Sequence, residues 1–212
     1  MNKYKLSIVI PVYNQEELVK RAIKSVPIRD DVELIVVNDG STDDTAKNIL
    51  KVLEERNSEN DTFVDCVENE GVASALNTGI EHMTGEYYLA LGSDDYFLTD
   101  ALNEFIDTQL DGTDMIYFNL EINDGSLIEP KEETRGVWVG STKVYKTTLI
   151  GEDRYPDGKR AHEDLVLDVK LRNKKHTHKF SGMTIKHYNF PREGSLTYQV
   201  NHKQIDSQFI GK

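Results

Sequence analysis

Two kinds of segment alternate along the first hundred positions. Residues 6–12 form an apolar run with Ile8, Val9 and Ile10 at its centre, closed by Pro11 and Asn14. Leu18, Val19, Ala22, Ile23 and Val26 then recur at helical spacing and predict a helix over 15–26. The same pair of signals repeats. Residues 32–37 read as a buried strand, and 43–53 as a helix with Ala46, Ile49, Leu50 and Leu53 on one face. A third strand is expected at 62–67, and a helix at 72–83 through Val72, Ala75, Leu76, Ile80 and Met83. A fourth strand follows at 87–91. Strands that are apolar throughout and separated by helices predict a parallel sheet covered on both faces. Ligands of such sheets bind at the carboxyl ends of the strands. The polar residues that follow each strand therefore share one rim: Tyr13 and Asn14, Asn38 to Ser41, Asn69 to Gly71, and Ser93 to Asp95.

Beyond Asp95 the pattern is less regular. A helix is expected at 99–110, a strand at 115–120 and a turn at Asn123-Asp124-Gly125. An exposed polar stretch at 125–133 is followed by a short β segment at 136–139 and a helix at 141–150. Another helix spans 165–171 behind His162-Glu163-Asp164, and a last strand lies at 183–188. The expectation is one α/β domain over 1–212. It has a rim-forming half (1–97), a less regular half (98–198) and a polar tail (199–212).

The richest chemistry is where the fourth strand ends in Gly92-Ser93-Asp94-Asp95. Adjacent carboxylates repel and are usually stabilised by a cation or donor. Hard oxygen ligands on a short turn suit Mg²⁺ or Mn²⁺, which often sit between carboxylates and a substrate's phosphates. The plainer alternative is a polar loop with an Asp helix cap. Asp39 lies on the same rim, and Gly40 permits the tight turn after it. A carboxylate there can accept a hydrogen bond from a nucleobase or a sugar. Ser41, Thr42 or Asp43 can cap the next helix. Asn77 could reach the rim from its helix or be solvated. Gly79 in the same helix implies close packing or close approach of a ligand. No Gly-x-Gly-x-x-Gly or Gly-x-x-x-x-Gly-Lys-Ser phosphate loop is present.

Charge and cysteine usage narrow the classes. The formal net charge of −12 disfavours bulk binding to nucleic acid or anionic membranes, which need clustered positive charge. The single cysteine, Cys66, excludes an internal disulfide framework and reads as a small hydrophobe. The absence of any 18-residue apolar run predicts no transmembrane segment. With residues 1–6 leading straight into a strand and no signal peptide, the expected location is cytoplasmic.

Five segments in order carry a resemblance: Ile10-Pro11-Val12-Tyr13-Asn14, Asn38-Asp39-Gly40-Ser41-Thr42-Asp43, Asn69-Glu70-Gly71-Val72-Ala73, Thr84-Gly85-Glu86-Tyr87-Tyr88 and Ser93-Asp94-Asp95. Together they resemble the family 2 glycosyltransferases of the GT-A fold over about the first hundred residues. Glu163-Asp164 resembles the family's acidic catalytic motif, and Arg192-Glu193-Gly194-Ser195-Leu196-Thr197 a segment near the end of many catalytic domains. The resemblance implies a mostly parallel nucleotide-binding sheet flanked by helices, with a smaller acceptor-side region. It implies a nucleoside-diphosphate sugar donor, most often UDP-linked, Mn²⁺ or Mg²⁺, and inverting transfer by direct displacement. Carried over, Pro11, Val12 and Tyr13, with Asn14 beside them, flank the base. Asp39 bonds it, and Asp94 and Asp95 bind ribose and metal. Asn77 and Arg192 join the donor site, Arg192 as a bidentate phosphate clamp. Asp164 is the general base, with Glu163 raising its pKa by repulsion; a helix cap is the alternative for the pair. His187 is a candidate third metal ligand. His176 and His178 read as an exposed basic turn, and Trp138 as an acceptor-stacking or core aromatic.

One departure stands out. Many members have Asp-x-Asp-Asp at the metal loop, whereas this chain has Gly92 at the first position. That leaves open which of Asp94 and Asp95 meets the metal. The rival readings are a nucleotidyltransferase and a catalytically silent nucleotide-sugar-binding protein. A glycan, a lipid-linked sugar, a protein or a nucleobase all remain open as acceptor.

Overall fold

The computed structural model describes residues 2–132, 142–156 and 163–190. The expected strand at 136–139, Trp138, His162, Arg192 and the tail lie outside the described residues.

The first half alternates as the hydrophobic pattern requires: β1 (Tyr4–Val12), α1 (Leu18–Ser25), β2 (Val32–Asn38), α2 (Thr45–Arg56), β3 (Asp61–Asp65), α3 (Val72–His82) and β4 (Gly85–Ala90). The second half contains β5 (Tyr96–Phe97), α4 (Thr99–Gln109), β6 (Met115–Ile122), β7 (Leu127–Ile128), β8 (Lys143–Lys146), α5 (Thr147–Ile150), α6 (Glu163–Arg172) and β9 (His178–Tyr188). The strand order is β3-β2-β1-β4-β8-β6-β9-β5, with β7 on β6. β1 to β4 pair only in parallel with one another. β8 then joins β4 and β6 antiparallel, so the sheet as a whole is mixed.

Three expectations change. The helix expected over 141–150 is strand β8 followed by the single turn α5. Val144 and Tyr145 favour a strand, and β8 supplies the partner that β4 and β6 both need. β3 is an edge strand, half-buried rather than buried. The stretch at 125–133 also holds a short strand, β7.

The alternation of β1 divides the core. Leu6, Ile8, Ile10 and Val12 face α1, α2 and α4 through Ala22, Ile23, Ile49, Phe105 and Ile106. Val9 faces the other way, with Ala75, Leu76 and Ile80 of α3 and Leu167 and Leu171 of α6. Each Val, Leu, Ile or Phe among them contributes about 1.5–3 kcal/mol on burial. A Cβ on Gly79 would stand 2.2 Å from Val9 Cγ1. Close packing of α3 on the sheet explains this glycine.

The amino-terminal edge of the sheet is closed by a buried anion. Glu33 accepts from the Ser7 hydroxyl and from the backbone N–H groups of Thr84 and Gly85. The Thr84-Gly85 pair thus has a structural role, opposite the rim.

A carboxylate rim and an acidic turn

The three loops after β1, β2 and β3 are stitched together at the carboxyl rim. Asn14 takes a left-handed conformation (φ 50°). Its backbone N–H donates to Ser41 Oγ at 2.9 Å, and its side-chain oxygen accepts the Thr42 N–H at 2.8 Å. Ser41 also donates to Asn38 Oδ1. None of the three expected caps is the N-cap of α2, which is Asp44 without a side-chain cap bond; Asp43, one position earlier, accepts the N–H of Thr45, the first residue of α2, at 3.0 Å. Asp39 is only 3% exposed. Its Oδ2 accepts from Asn69 Nδ2 and the Gly71 N–H, both at 2.9 Å, and its Oδ1 accepts the Glu70 N–H at 3.0 Å. Asp39 therefore organises the loop ahead of α3, a role the sequence did not reveal. Gly40 makes this possible. It has φ +65°, and a Cβ there would lie 2.6 Å from the Glu68 carbonyl carbon. Val12 is buried and its carbonyl receives the Asp39 N–H, while Pro11 is half-buried beside it. Tyr13 is 44% exposed on this rim, an aromatic face open to a ligand.

After β4 the chain turns sharply, with the Asp95 N–H donating to the Gly92 carbonyl. Asp94 is half-buried, and its carbonyl accepts from Arg21 at 2.8 Å. Asp95 is 2% exposed. Its Oδ1 accepts the Asn189 N–H at 2.9 Å and its Oδ2 pairs with Lys186 Nζ at 2.9 Å. Burial raises the Asp95 pKa above the ordinary carboxylate range, and Lys186 opposes that shift. A Cβ at position 92 would stand 3.1 Å from both Asp94 Oδ1 and Asp95 Oδ2. The two carboxylates thus converge on the space the glycine leaves free. His187 stacks on Tyr96 with ring centroids 4.6 Å apart, and Arg21 covers the same tyrosine at 4.4 Å. The buried Nδ1 of His187 has no hydrogen-bond partner among the described residues.

α6 lies on the α3 side of the sheet. Glu163 is its first residue, and Asp164 Oδ1 accepts the Leu165 N–H at 2.8 Å. One turn on, Asp168 is fully buried. It pairs with Lys143 Nζ at 2.6 Å and Arg172 Nε at 2.5 Å, and it accepts from the Tyr145 hydroxyl. Tyr155 meets the Tyr88 hydroxyl at 3.1 Å, and both its hydroxyl and that of Tyr145 are driven up by burial.

The family model described as "Glycosyl transferase family 2" matches residues 7–162, which hold both the rim and the acidic turn. The chain belongs to glycosyl transferase family 2. It is 31% identical over 126 residues to GalNAc(5)-diNAcBac-PP-undecaprenol beta-1,3-glucosyltransferase of Campylobacter jejuni, covering 58% of this chain and 40% of that one. It is 34% identical over 110 residues to the teichoic acid poly(glycerol phosphate) polymerase of Staphylococcus epidermidis, covering 49% of this chain and 15% of that one. The chain thus spans well under half the length of these relatives. Among solved structures, S. aureus TarS 1-349 in complex with UDP-GlcNAc matches with a TM-score of 0.77 at 23% identity, covering 92% of this chain and 60% of that one. Mannosyltransferase PcManGT of Pyrobaculum calidifontis, in complex with GDP-Man and Mn²⁺, matches with a TM-score of 0.74 at 19% identity, covering 92% and 60%. These likenesses are of fold: the chain has the curled, mixed α/β sheet of GT-A glycosyltransferases.

Within this family 2 chain the expected residues fall into three groups. Pro11, Val12, Tyr13, Asn14 and Asp39 lie together on the rim. Asp94 and Asp95 lie on the turn between β4 and β5, and His187, stacked on Tyr96, lies on β9 between Lys186 and Asn189, the two residues that hold Asp95. Asn77 is engaged elsewhere: its side-chain N–H donates to the Tyr155 carbonyl at 3.0 Å and its oxygen accepts the Tyr155 N–H at 2.9 Å. The expected reach of Asn77 to the rim is replaced by a clamp on the segment around Tyr155. The described residues contain no group of three His, Cys, Asp or Glu side chains arranged for a metal. Carboxylate oxygens converging on the space over Gly92 do fit a hard divalent ion, provided phosphates and water complete its shell. His176 and His178 are not a plain basic turn. His178 pairs with Glu132 and meets Tyr117 and Phe180 edge-on, and His176 bonds the Lys174 carbonyl. Cys66 is half-buried and its thiol pKa is raised by burial. Among the described residues, no helix is long and apolar enough to cross a membrane.

Proposed function

We propose that this chain is the donor-binding and transfer domain of a glycosyltransferase that takes a nucleoside-diphosphate sugar, with uracil as base, and inverts the anomeric centre. The observation that carries the reading is the pairing of the stitched Asn14–Asp39–Asn69 rim with an acidic turn whose two carboxylates converge over Gly92, in a chain that belongs to family 2. TarS, which shares the fold, has been captured with UDP-GlcNAc, and PcManGT with GDP-Man and Mn²⁺, which supports a nucleotide sugar as ligand.

In this reading Tyr13 covers the base, and Asp39 presents its neighbouring loop to it. Asp94 would hold Mn²⁺ or Mg²⁺, with Asp95 next to it on the turn and His187 as the candidate third ligand. When bound, the ion neutralises charge on the departing diphosphate. Arg192 would be the phosphate clamp, through the bidentate match of guanidinium to phosphate oxygens. The chain's remaining task is to deprotonate the acceptor hydroxyl on the face opposite the leaving group. Asp164 does this with Glu163 next to it, and the Asp168 anchor keeps its helix in place.

The test is a thermal-shift and calorimetric screen of UDP, GDP and their sugars, with and without Mn²⁺. A ligand at about one hundred times its Kd stabilises by about 2.7 kcal/mol. The expected result is a metal-dependent upward shift with UDP-linked ligands, and release of UDP when an acceptor is present. No shift with any nucleotide would refute the reading. Covalent transfer of UMP would favour the nucleotidyltransferase, and donor binding without turnover at any acceptor the silent binding protein.

A further inference from the structure

We propose that Lys186 is a fixed counter-ion of the acidic turn: it reserves Asp95 for itself and leaves Asp94 to meet the ion and diphosphate of the donor. The inference rests on the donor-site reading above and adds a residue to it.

The geometry is specific. Lys186 is 2% exposed, although lysine is almost never fully buried without a partner. Its Nζ lies 2.9 Å from Asp95 Oδ2, the same oxygen that faces the space over Gly92. The other oxygen of Asp95 accepts the Asn189 N–H. Both oxygens are therefore engaged by β9 and the residue just beyond it. The sheet fixes the lysine in place, because β9 pairs Lys186 with Phe97 of β5 and with Leu120 of β6.

Charge explains the arrangement. Asp94 and Asp95 are adjacent anions, and two such groups in a partly closed site repel. A buried ion pair contributes little net stability, yet removing one member leaves an uncompensated charge. Lys186 neutralises Asp95 permanently, so the turn can form before any metal arrives. A divalent ion that reached for Asp95 Oδ2 would have to approach an ammonium group already held there. Two cations at one oxygen oppose each other, so the nucleotide-free site should bind metal weakly. The diphosphate then supplies the missing negative charge. Gly92 fits this scheme, since it places no third carboxylate beside Asp94 and Asp95.

The test measures Mn²⁺ affinity directly, by calorimetry and by the electron paramagnetic resonance of free Mn²⁺. Lys186→Met frees Asp95 Oδ2, and the nucleotide-free protein should bind Mn²⁺ at least about tenfold more tightly, because two carboxylates then serve the ion. Lys186→Met combined with Asp95→Asn removes the ion pair as a unit and strands neither charge, so Mn²⁺ affinity in the presence of UDP should stay within about threefold of the unaltered protein, whereas Asp94→Asn should abolish it. A folded Lys186→Met protein with unchanged or weaker Mn²⁺ binding would overturn the proposal. So would loss of UDP-dependent Mn²⁺ binding in the double variant, which also decides the matter if Lys186→Met alone does not fold. If the unaltered protein binds no Mn²⁺ with UDP, the metal reading falls and takes this inference with it. If it does bind, the double-variant result judges the inference alone.

Discussion

Replacing Asp168 by Asn removes one charge and almost no volume, at the anchor of the helix that carries Asp164. In the native protein Asp168 sits between Lys143, whose side chain is fully buried, and Arg172, whose side chain is 23% exposed. Arg172 can turn into water when its partner is lost, but Lys143 cannot. Breaking a buried pair by neutralising one member typically costs about 3–5 kcal/mol. Deprotonation of Lys143 sets a ceiling on this cost. Near pH 7, removing a proton from a group of unfolded pKa about 10.4 costs about 4.6 kcal/mol, at about 1.36 kcal/mol per unit. A loss of about 3–4.6 kcal/mol is therefore expected, or roughly 6–18 °C in Tm for a chain of this size. The pH dependence gives a second check. Burial already lowers the Lys143 pKa, with Asp168 pulling it back up. Without Asp168 the folded-state pKa drops further, so over that window the unfolded chain holds more protons and stability rises with pH. By the same ceiling, the deficit should shrink to about 2 kcal/mol near pH 9. Urea unfolding of both proteins at the two pH values measures it. A deficit below about 1 kcal/mol near pH 7, or one that does not narrow near pH 9, would refute the assignment of Lys143 as the stranded charge.

Three further outcomes are expected. Asp39→Asn places an amide N–H against one of the loop donors, so it should weaken UDP binding by about 1–3 kcal/mol and also lower stability by a similar amount; calorimetry and thermal melts read the two effects, and unchanged values in both would show that Asp39 organises neither the loop nor the base site. Asp164→Asn should cut sugar transfer by about 10²–10⁴ with UDP affinity unchanged, and normal transfer with a lowered melting temperature would make Asp164 a helix cap. Gly79→Ala should destabilise by about 1–2 kcal/mol despite its better helix propensity, since overpacking against Val9 costs about 1–3 kcal/mol; partial recovery in the Gly79→Ala, Val9→Ala double variant would tie the effect to that contact.

The parallel half of the fold and its rim are legible in the sequence because their signals are local. A short, β-branched stretch such as 32–37 bounded by turn residues reads as a buried strand, and Asn38-Asp39-Gly40 after it as a turn at its end. Since β1 to β4 are parallel, every such turn falls on the same edge, so spacing alone groups Tyr13, Asn14, Asp39, Asp94 and Asp95. The second half offers no such lever. The β8 segment reads as helix because a four-residue strand shows too little periodicity, and only its pairing with β4 and β6 decides the matter.

What the sequence by itself determined is the set of strand ends and the residue types placed there. Only the tertiary structure decided what those residues hold. Asp39 is bonded to a loop 30 positions away, Asp95 to Lys186, Asn77 to Tyr155, and Asp168 to Lys143. The physical reason is that a lysine or an asparagine in a strand or helix reads as solvated by default, since water is its most available partner. It becomes a buried partner only when the folded sheet removes the water and brings one complementary group within reach. Sequence spacing carries no record of that meeting.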